Sequence, residues 1–230
     1  MFRLHLREIS HIFNIKSGGA VLATQLIFVK GKEFIKKILS GERDLSGIEL
    51  EEGFDLCGDE SFNELQEYLK KCDFKENPIN IKGSKLRHLD ADGLYLPFVQ
   101  ANGVNLKHAA LMGANLENAQ LEMSDLRYAR LSRVKLTSAN LRNADLRLAD
   151  LNLASLIGAN LTEANFEAAD LEYTNMKSAD LKNVKNLQWA RFLKTVNFQF
   201  AKITDKEKEI IRQALWAQES KKRRLFGGSG

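Results

Sequence analysis

The sequence predicts an all-β solenoid, and three interlocked columns of residues predict it. From position 106 a large apolar residue returns at every fifth place: Leu106, Leu111, Leu116, Leu121, Leu126, Leu131, Leu136, Leu141, Leu146, Leu151, Leu156, Leu161, Phe166, Leu171, Met176 and Leu181, 16 positions without a slip. Two places before each lies a small residue, Ala in 12 of 16, and one place before lies Asn or Asp in 11 of 16. Neither standard element tolerates this spacing. On a helix a step of five advances about 500°, which scatters the leucines over every face. On a strand, successive leucines would alternate between faces. The chain must therefore turn once per five residues, with each large residue pointing at one axis and the Ala filling the corner beside it. Asn or Asp between them has the short polar side chain that bonds the backbone of a turn. Coils stacked in this way hydrogen-bond to one another about 4.8 Å apart.

The segments Ala114-Asn115-Leu116, Ala139-Asn140-Leu141, Ala144-Asp145-Leu146, Ala159-Asn160-Leu161 and Ala179-Asp180-Leu181 carry the columns in their plainest form. Their pattern resembles that of the pentapeptide-repeat family. The resemblance implies a right-handed quadrilateral β-helix with four pentapeptides per coil, spanning residues 81–203. A solenoid also exposes apolar coil ends and open strand edges, so short capping helices are expected at both ends.

Taken in order, residues 1–80 read as an N-terminal mixed cap. Phe2, Leu4 and Leu6 alternate like a strand, Ile9, Ile12 and Phe13 have helical spacing, and Gly18-Gly19 marks a turn before Ala20–Val29. A short helix is expected over 32–39, stopped by Gly41, and an interrupted opening of the repeats near 43–56, where Leu45 and Leu50 are five apart. Ser61-x-x-Glu64 opens a second helix over about 62–72. In 81–105 the corner column holds Leu89, Leu94, Val99 and Val104 instead of Ala, and Pro97 intrudes, so the first coil is expected to be distorted. After Leu181 the spacing alternates between six and five, which predicts small bulges. Thr204-x-x-Glu207 is a capping-box pattern opening an amphipathic helix through Ile210, Ile211, Ala214 and Leu215, a C-terminal cap over 204–220. Residues 221–230 form a basic, then Gly/Ser-rich tail, of which Gly227-Gly228-Ser229-Gly230 is expected to lie outside the fold.

Composition narrows the function. Two cysteines, Cys57 and Cys72, lie 15 apart with no histidine at metal-ligand spacing, so no disulfide framework or metal is expected and a reducing, cytoplasmic setting is. The longest apolar stretch, about 12 residues from Gly18 to Val29, is too short to span a bilayer, and no secretory leader is read. The four histidines are scattered, and no nucleophile elbow, phosphate-binding glycine loop or cofactor motif is present. A catalytic role is not expected.

With the 20-residue coil that the resemblance implies, residues 20 apart share one face. Lys107, Arg127 and Arg147 then form a basic column ending in Glu167, with Tyr128, Arg130 and Arg133 close by as candidate partner-binding residues. The charge is banded: basic through 107–147, acidic over 163–180, and acidic again through Glu42–Glu64. The expected function is a non-enzymatic protein-interaction or scaffold module presenting this rigid surface to another protein. The family resemblance adds an alternative, a DNA-mimicking modulator of gyrase, whose known examples are acidic along the solenoid; residues 81–203 here carry 16 basic against 12 acidic residues. Weak nucleic-acid binding by the basic column is a third reading, and a homodimer through the C-terminal helix is compatible with all three.

Overall fold

The computed structural model describes residues 26–226, and of these the side chains of 218, 219 and 221–226 are left aside. The expected strand and helix of residues 1–25 lie outside the described residues. Strand β1 (Ile27–Val29) opens the described chain, followed by α1 (Gly31–Leu39), β2 (Ile48–Leu50), α2 (Phe62–Lys71), two 3-10 turns (Leu187–Trp189 and Leu193–Thr195) and α3 (Asp205–Phe226). Between α2 and the 3-10 turns runs a ladder of parallel bridges at a constant offset of 20 residues, from Asn80↔Gln100 through Asn105↔Asp125 and Asn140↔Asn160 to Asn165↔Lys185. Four five-residue faces thus make one coil, and each coil bonds to the next through its backbone.

Each repeat closes with a β-turn. Ala109 N donates to Leu106 O at 3.0 Å and Ala144 N to Leu141 O at 3.0 Å, and the third turn residue takes a positive φ, for instance 62° at His108 and 56° at Asn143. The amide of the second turn residue faces away from the ladder and is taken by the Asx side chain two residues earlier. All 11 Asn and Asp of that column do this, from Lys107 N to Asn105 Oδ1 (3.1 Å) to Lys182 N to Asp180 Oδ1 (3.2 Å). The column is therefore fixed by an otherwise orphaned donor.

The inward column is fully buried, with Leu141, Leu151, Phe166 and Met176 all at 0% exposure. Where Ala gives way to a polar residue, its hydroxyl finds a carbonyl: Ser124 Oγ to Leu121 O at 2.7 Å and Thr174 Oγ1 to Leu151 O at 2.9 Å.

The expected distortion around Pro97 is absent. Bridges Asp90↔Ala110, Tyr95↔Asn115 and Gln100↔Gln120 keep the 20-residue register. Pro97 occupies the second turn place, whose N–H the ladder does not use, while Leu96 N and Phe98 N on either side bond Asn115 O (2.9 Å) and Glu117 O (2.8 Å). Proline is favoured at that place of a turn with positive φ at the next residue. Leu89, Leu94, Val99 and Val104 are buried in the corner column without shifting the ladder.

The stack also reaches upstream of 81. Asp44, Glu49 and Asp55 bridge Asn80, Lys85 and Asp90, and β1 pairs in parallel with β2. The offset rises to 36 at Asp44↔Asn80 because α2 and its flanks are inserted in that coil. The Gln66 side chain of α2 supplies the rung that this coil lacks, donating to Gly93 O (2.8 Å) and accepting from Tyr95 N (2.9 Å). Phe34 and Ile38 of α1, with Leu65 and Leu69 of α2, meet Leu56 and Leu86 around an apolar void of about 40 Å³ on the axis. At the other end the offset grows to 21 at Asp170↔Arg191 and 22 at Asn175↔Asn197, the extra residues forming the two 3-10 turns. There α3 packs on those turns, burying Ile211 and Ala214.

The capping-box spacing read from the sequence is realised at the start of α3. Glu207, 1% exposed, accepts from Thr204 N (2.8 Å) and Thr204 Oγ1 through one oxygen, and through the other from Asn183 N in the last regular coil at 3.1 Å. Burial opposes the charged form of Glu207, but these hydrogen bonds outweigh it and hold its carboxyl below the ordinary glutamate value.

Candidate functional site

Side chains at the third turn place project from the four long edges of the rod, and one edge differs from the others. Three edges carry glycine at that left-handed place at least once: Gly83 and Gly103, Gly93 and Gly113, or Gly158. Between residues 88 and 168 the fourth has none. His88, His108, Tyr128, Leu148 and Ala168 follow one another there at φ of 56–62°. Non-glycine residues take this conformation on the other edges as well, Phe98, Met123, Leu153 and Tyr173 among them, so what sets this edge apart is the stacking of its side chains.

The rise of the coil sets their spacing. The rings of His88 and His108 stack at 4.7 Å with 13° between planes, and those of His108 and Tyr128 at 4.7 Å and 15°. Lys107 Nζ lies 5.6 Å from the Tyr128 centroid, a cation–π distance. The edge remains open to solvent, with Tyr128 at 44% and Leu148 at 47% exposure. In the last coil Trp189 lies between the bridged Lys185 and Arg191, on the same edge, and is 66% exposed.

One residue before His88, His108, Tyr128 and Leu148 runs the basic row Arg87, Lys107, Arg127 and Arg147. The structure places it as the 20-residue arithmetic predicts, but most of its charge is matched. Arg127 binds Asp125 through Nε (2.8 Å) and Nη2 (2.7 Å) and lies 3.6 Å from Asp145. Arg147 binds Asp145 in the same way, with Nη2 at 2.8 Å. Burial works against the Asp125 carboxylate, yet the hydrogen bonds from Arg127 outweigh it and keep its pKa below the ordinary value. Asp125 in turn raises Arg127, and Asp145 raises Arg147. At the start of the row Glu52 takes both His88 Nε2 (3.3 Å) and Arg87 Nη2 (3.8 Å). Burial, with the charges of His88, Lys107 and Arg87, lowers the His108 pKa.

The remaining candidates lie elsewhere. Arg130 is on the adjoining face, 3.6 Å from Asp92, and Arg133 on the next edge, below Gly93 and Gly113 and above Leu153 and Tyr173. Sequence reasoning missed the histidines: reading them as scattered overlooked that His88, His108 and Tyr128 are each 20 apart, the same interval that gave the basic row. It also missed a cluster of Asp55, Cys57 and Asp90, whose ligand atoms lie within 4.8 Å of one another. The Cys57 thiol donates to both carboxylates at 3.3 Å, and burial together with these neighbours pushes its pKa to about 12.

The fold is thus a β-helical solenoid of five-residue faces. Residues 114–152 and 149–185 match the model of the family described as pentapeptide repeats, in eight copies, and this stretch of the solenoid is built of repeats of that family. Among solved structures, full-length QnrB1, a plasmid-mediated fluoroquinolone resistance protein, is 19% identical over 75% of this chain and 82% of its own, with a TM-score of 0.38. Rfr23, a pentapeptide-repeat protein from the cyanobacterium Cyanothece 51142, is 27% identical over 55% of this chain and 88% of its own, with a TM-score of 0.29. A pentapeptide-repeat protein from the thylakoid lumen of Arabidopsis thaliana is 32% identical over 44% of this chain and 68% of its own, with a TM-score of 0.19. No curated protein sequence matches the chain.

Proposed function

We propose that the protein is a non-enzymatic interaction module, a right-handed pentapeptide solenoid capped by α1 and α3 that presents a rigid edge to another protein. The observation that carries this reading is the stacked His88–His108–Tyr128 ladder, whose positions are set by backbone bonds between coils and not by loops. A surface ordered before binding avoids the entropy of ordering on association, and exposed aromatics are frequent anchors of protein interfaces. The two free cysteines fit a reducing, cytoplasmic location. Among the described residues no helix is long and apolar enough to cross a membrane.

The gyrase-modulating alternative asks for an acidic rod, which a solenoid of 16 basic and 12 acidic residues over 81–203 does not supply. The nucleic-acid reading is weakened by the carboxylates clamped on Arg127 and Arg147. A homodimer through α3 draws on Trp216, 72% exposed beside the buried Ala214.

Site-specific photo-cross-linking in native lysate tests the module reading. A photoreactive residue in place of Tyr128 is expected to give discrete protein adducts, while the same residue in place of Ser138, on another edge, gives none. Adducts that disappear on nuclease treatment, or equal labelling from both positions, would overturn it.

A further inference from the structure

Charge is divided unevenly along the chain. Residues 1–173 carry 21 basic and 25 acidic residues, whereas residues 174–230 carry 13 and 5. Between residues 174 and 204 six lysines and arginines accompany a single acid, Asp180. Local pairing does not cancel this excess. Arg191 is held by Asp170 at 3.5 Å and Lys182 lies 3.9 Å from Asp180. Lys185, Lys202 and Lys206, however, are exposed and meet no carboxylate within ion-pair distance among the described residues. Lys177 Nζ lies 5.8 Å from the centroid of the Phe200 ring. The exposed acids of α3, Asp205 and Glu209, are taken by Lys208 and Arg212.

Aromatic rings share this end of the rod. Trp189, Phe200 and Trp216 are all exposed, and Trp189 and Trp216 are the chain's two tryptophans. Placement selects the form of the partner. Lys185 stands in the bridge column of Asn165, and Lys177 beside Asn175 on the opposite face. Trp189 and Phe200 project from diagonally opposite edges of the last coil. Lys206 and Trp216 belong to α3, which packs on the 3-10 turns of that coil. A partner lying along one flank, a nucleic-acid strand included, reaches only the groups on that side. A plane across the rod axis reaches all of them. The surface of a bilayer is such a plane. Its interface takes both kinds of group, aromatic rings at headgroup level and lysines against anionic headgroups.

We propose that the C-terminal end of the rod docks end-on against an anionic bilayer surface. Trp189, Phe200 and Trp216 enter the headgroup layer, and Lys177, Lys185, Lys202 and Lys206 meet the lipid charge. This contact is peripheral and goes beyond the interaction-module reading. A rod standing on its end leaves the His88–His108–Tyr128 edge clear of the membrane.

The test is a titration of the full chain with vesicles of phosphatidylcholine containing about one-third phosphatidylserine. Vesicles of phosphatidylcholine alone and a single-stranded oligothymidylate are the comparators. Both tryptophans lie in the contact, so with the phosphatidylserine vesicles their emission is expected to shift to the blue and to be quenched by brominated lipid. The comparators are expected to do neither, and added salt should weaken the binding. The triple variant Lys185→Gln, Lys202→Gln, Lys206→Gln is expected to bind these vesicles at least about tenfold more weakly. Glutamine already stands at bridged places in Gln100 and Gln120, so this variant should keep the wild-type circular dichroism spectrum and melting. Lys75→Gln with Lys82→Gln and Lys135→Gln removes the same charge elsewhere and should bind as wild type. Equal binding to uncharged vesicles, capture of the oligothymidylate in place of vesicles, binding without quenching, or no vesicle binding at all would overturn the proposal. Undiminished binding by the triple variant would do so too, by moving the contact to the basic run at 221–224. None of these results touches cross-linking from Tyr128, so the module reading stands or falls separately.

Discussion

The middle of the rod and its two ends are built on the same coil but held by different means. Between residues 106 and 181 every rung is a backbone bond repeated on four faces, and each Asn or Asp placed just before the inward residue secures the amide of its own turn. At the ends single side chains do that work. Gln66 replaces a missing rung in the first coil, and Glu207 ties the start of α3 to Asn183 in the last regular one. Repetition spreads stability over many equivalent contacts in the middle, whereas each end depends on a bond that occurs once.

The largest effect expected is in the middle, because burial is deepest there. Leu141→Ala opens a cavity in a column at 0% exposure and should cost about 2–5 kcal/mol. Thermal melting should fall by about 4–20 °C, at roughly 2–4 °C per kcal/mol for a chain of this size. A drop under about 2 °C would show that neighbouring coils close over the gap and that the middle is softer than its ladder implies.

Next comes the C-terminal end. Glu207→Ala leaves Asn183 N without its acceptor and should cost about 1.5–3 kcal/mol, the range for hydrogen bonds to a charged group. Since folding lowers the Glu207 pKa, its contribution is fully present above the unfolded value and is lost as pH falls through the folded one. Wild type and variant should therefore converge in stability on acidification, as read by denaturant unfolding across pH. A constant difference down to strongly acidic pH would remove the carboxylate from the account.

The smallest effect belongs to Gln66→Ala, about 0.5–1.5 kcal/mol, since Gly93 O is exposed and water can replace part of the rung. Hydrogen exchange sharpens the contrast with the middle. The Tyr95 amide should lose protection in this variant while those of Asn115 and Lys135, on the same face one and two coils on, should not. Spread of the loss to Asn115 and beyond would mean that the inserted coil and the regular stack open together.

The distribution of legible features follows the same division. The inward column could be read directly because burial on one axis demands a large residue every fifth place, and the Asx column because each turn leaves the same amide to satisfy. Thr204 and Glu207 announced the start of α3, since a capping box is local. Pro97 misled: its effect depends on which amide the coil leaves idle, and composition alone does not say. The ring ladder was written in the same 20-residue interval as the basic row, but a column of unlike residues, His, His, Tyr and Leu, carries no repeated letter to draw the eye.

The sequence by itself determined the solenoid, its period and its core, because those follow from short-range repetition in which each residue meets the same demand as the one five places away. Tertiary structure alone decided which outward residues act together. The bond of Gln66 to Gly93 and Tyr95, the closure of Asp55 and Cys57 on Asp90, the clamping of Arg127 and Arg147 by Asp125 and Asp145, and the stacking of His88 on His108 and Tyr128 all depend on the rise and rotation of the coil. Side chains far apart in the chain come within a few ångströms only when coils stack in register, and it is that register, more than any local motif, that turns a repeat into a surface.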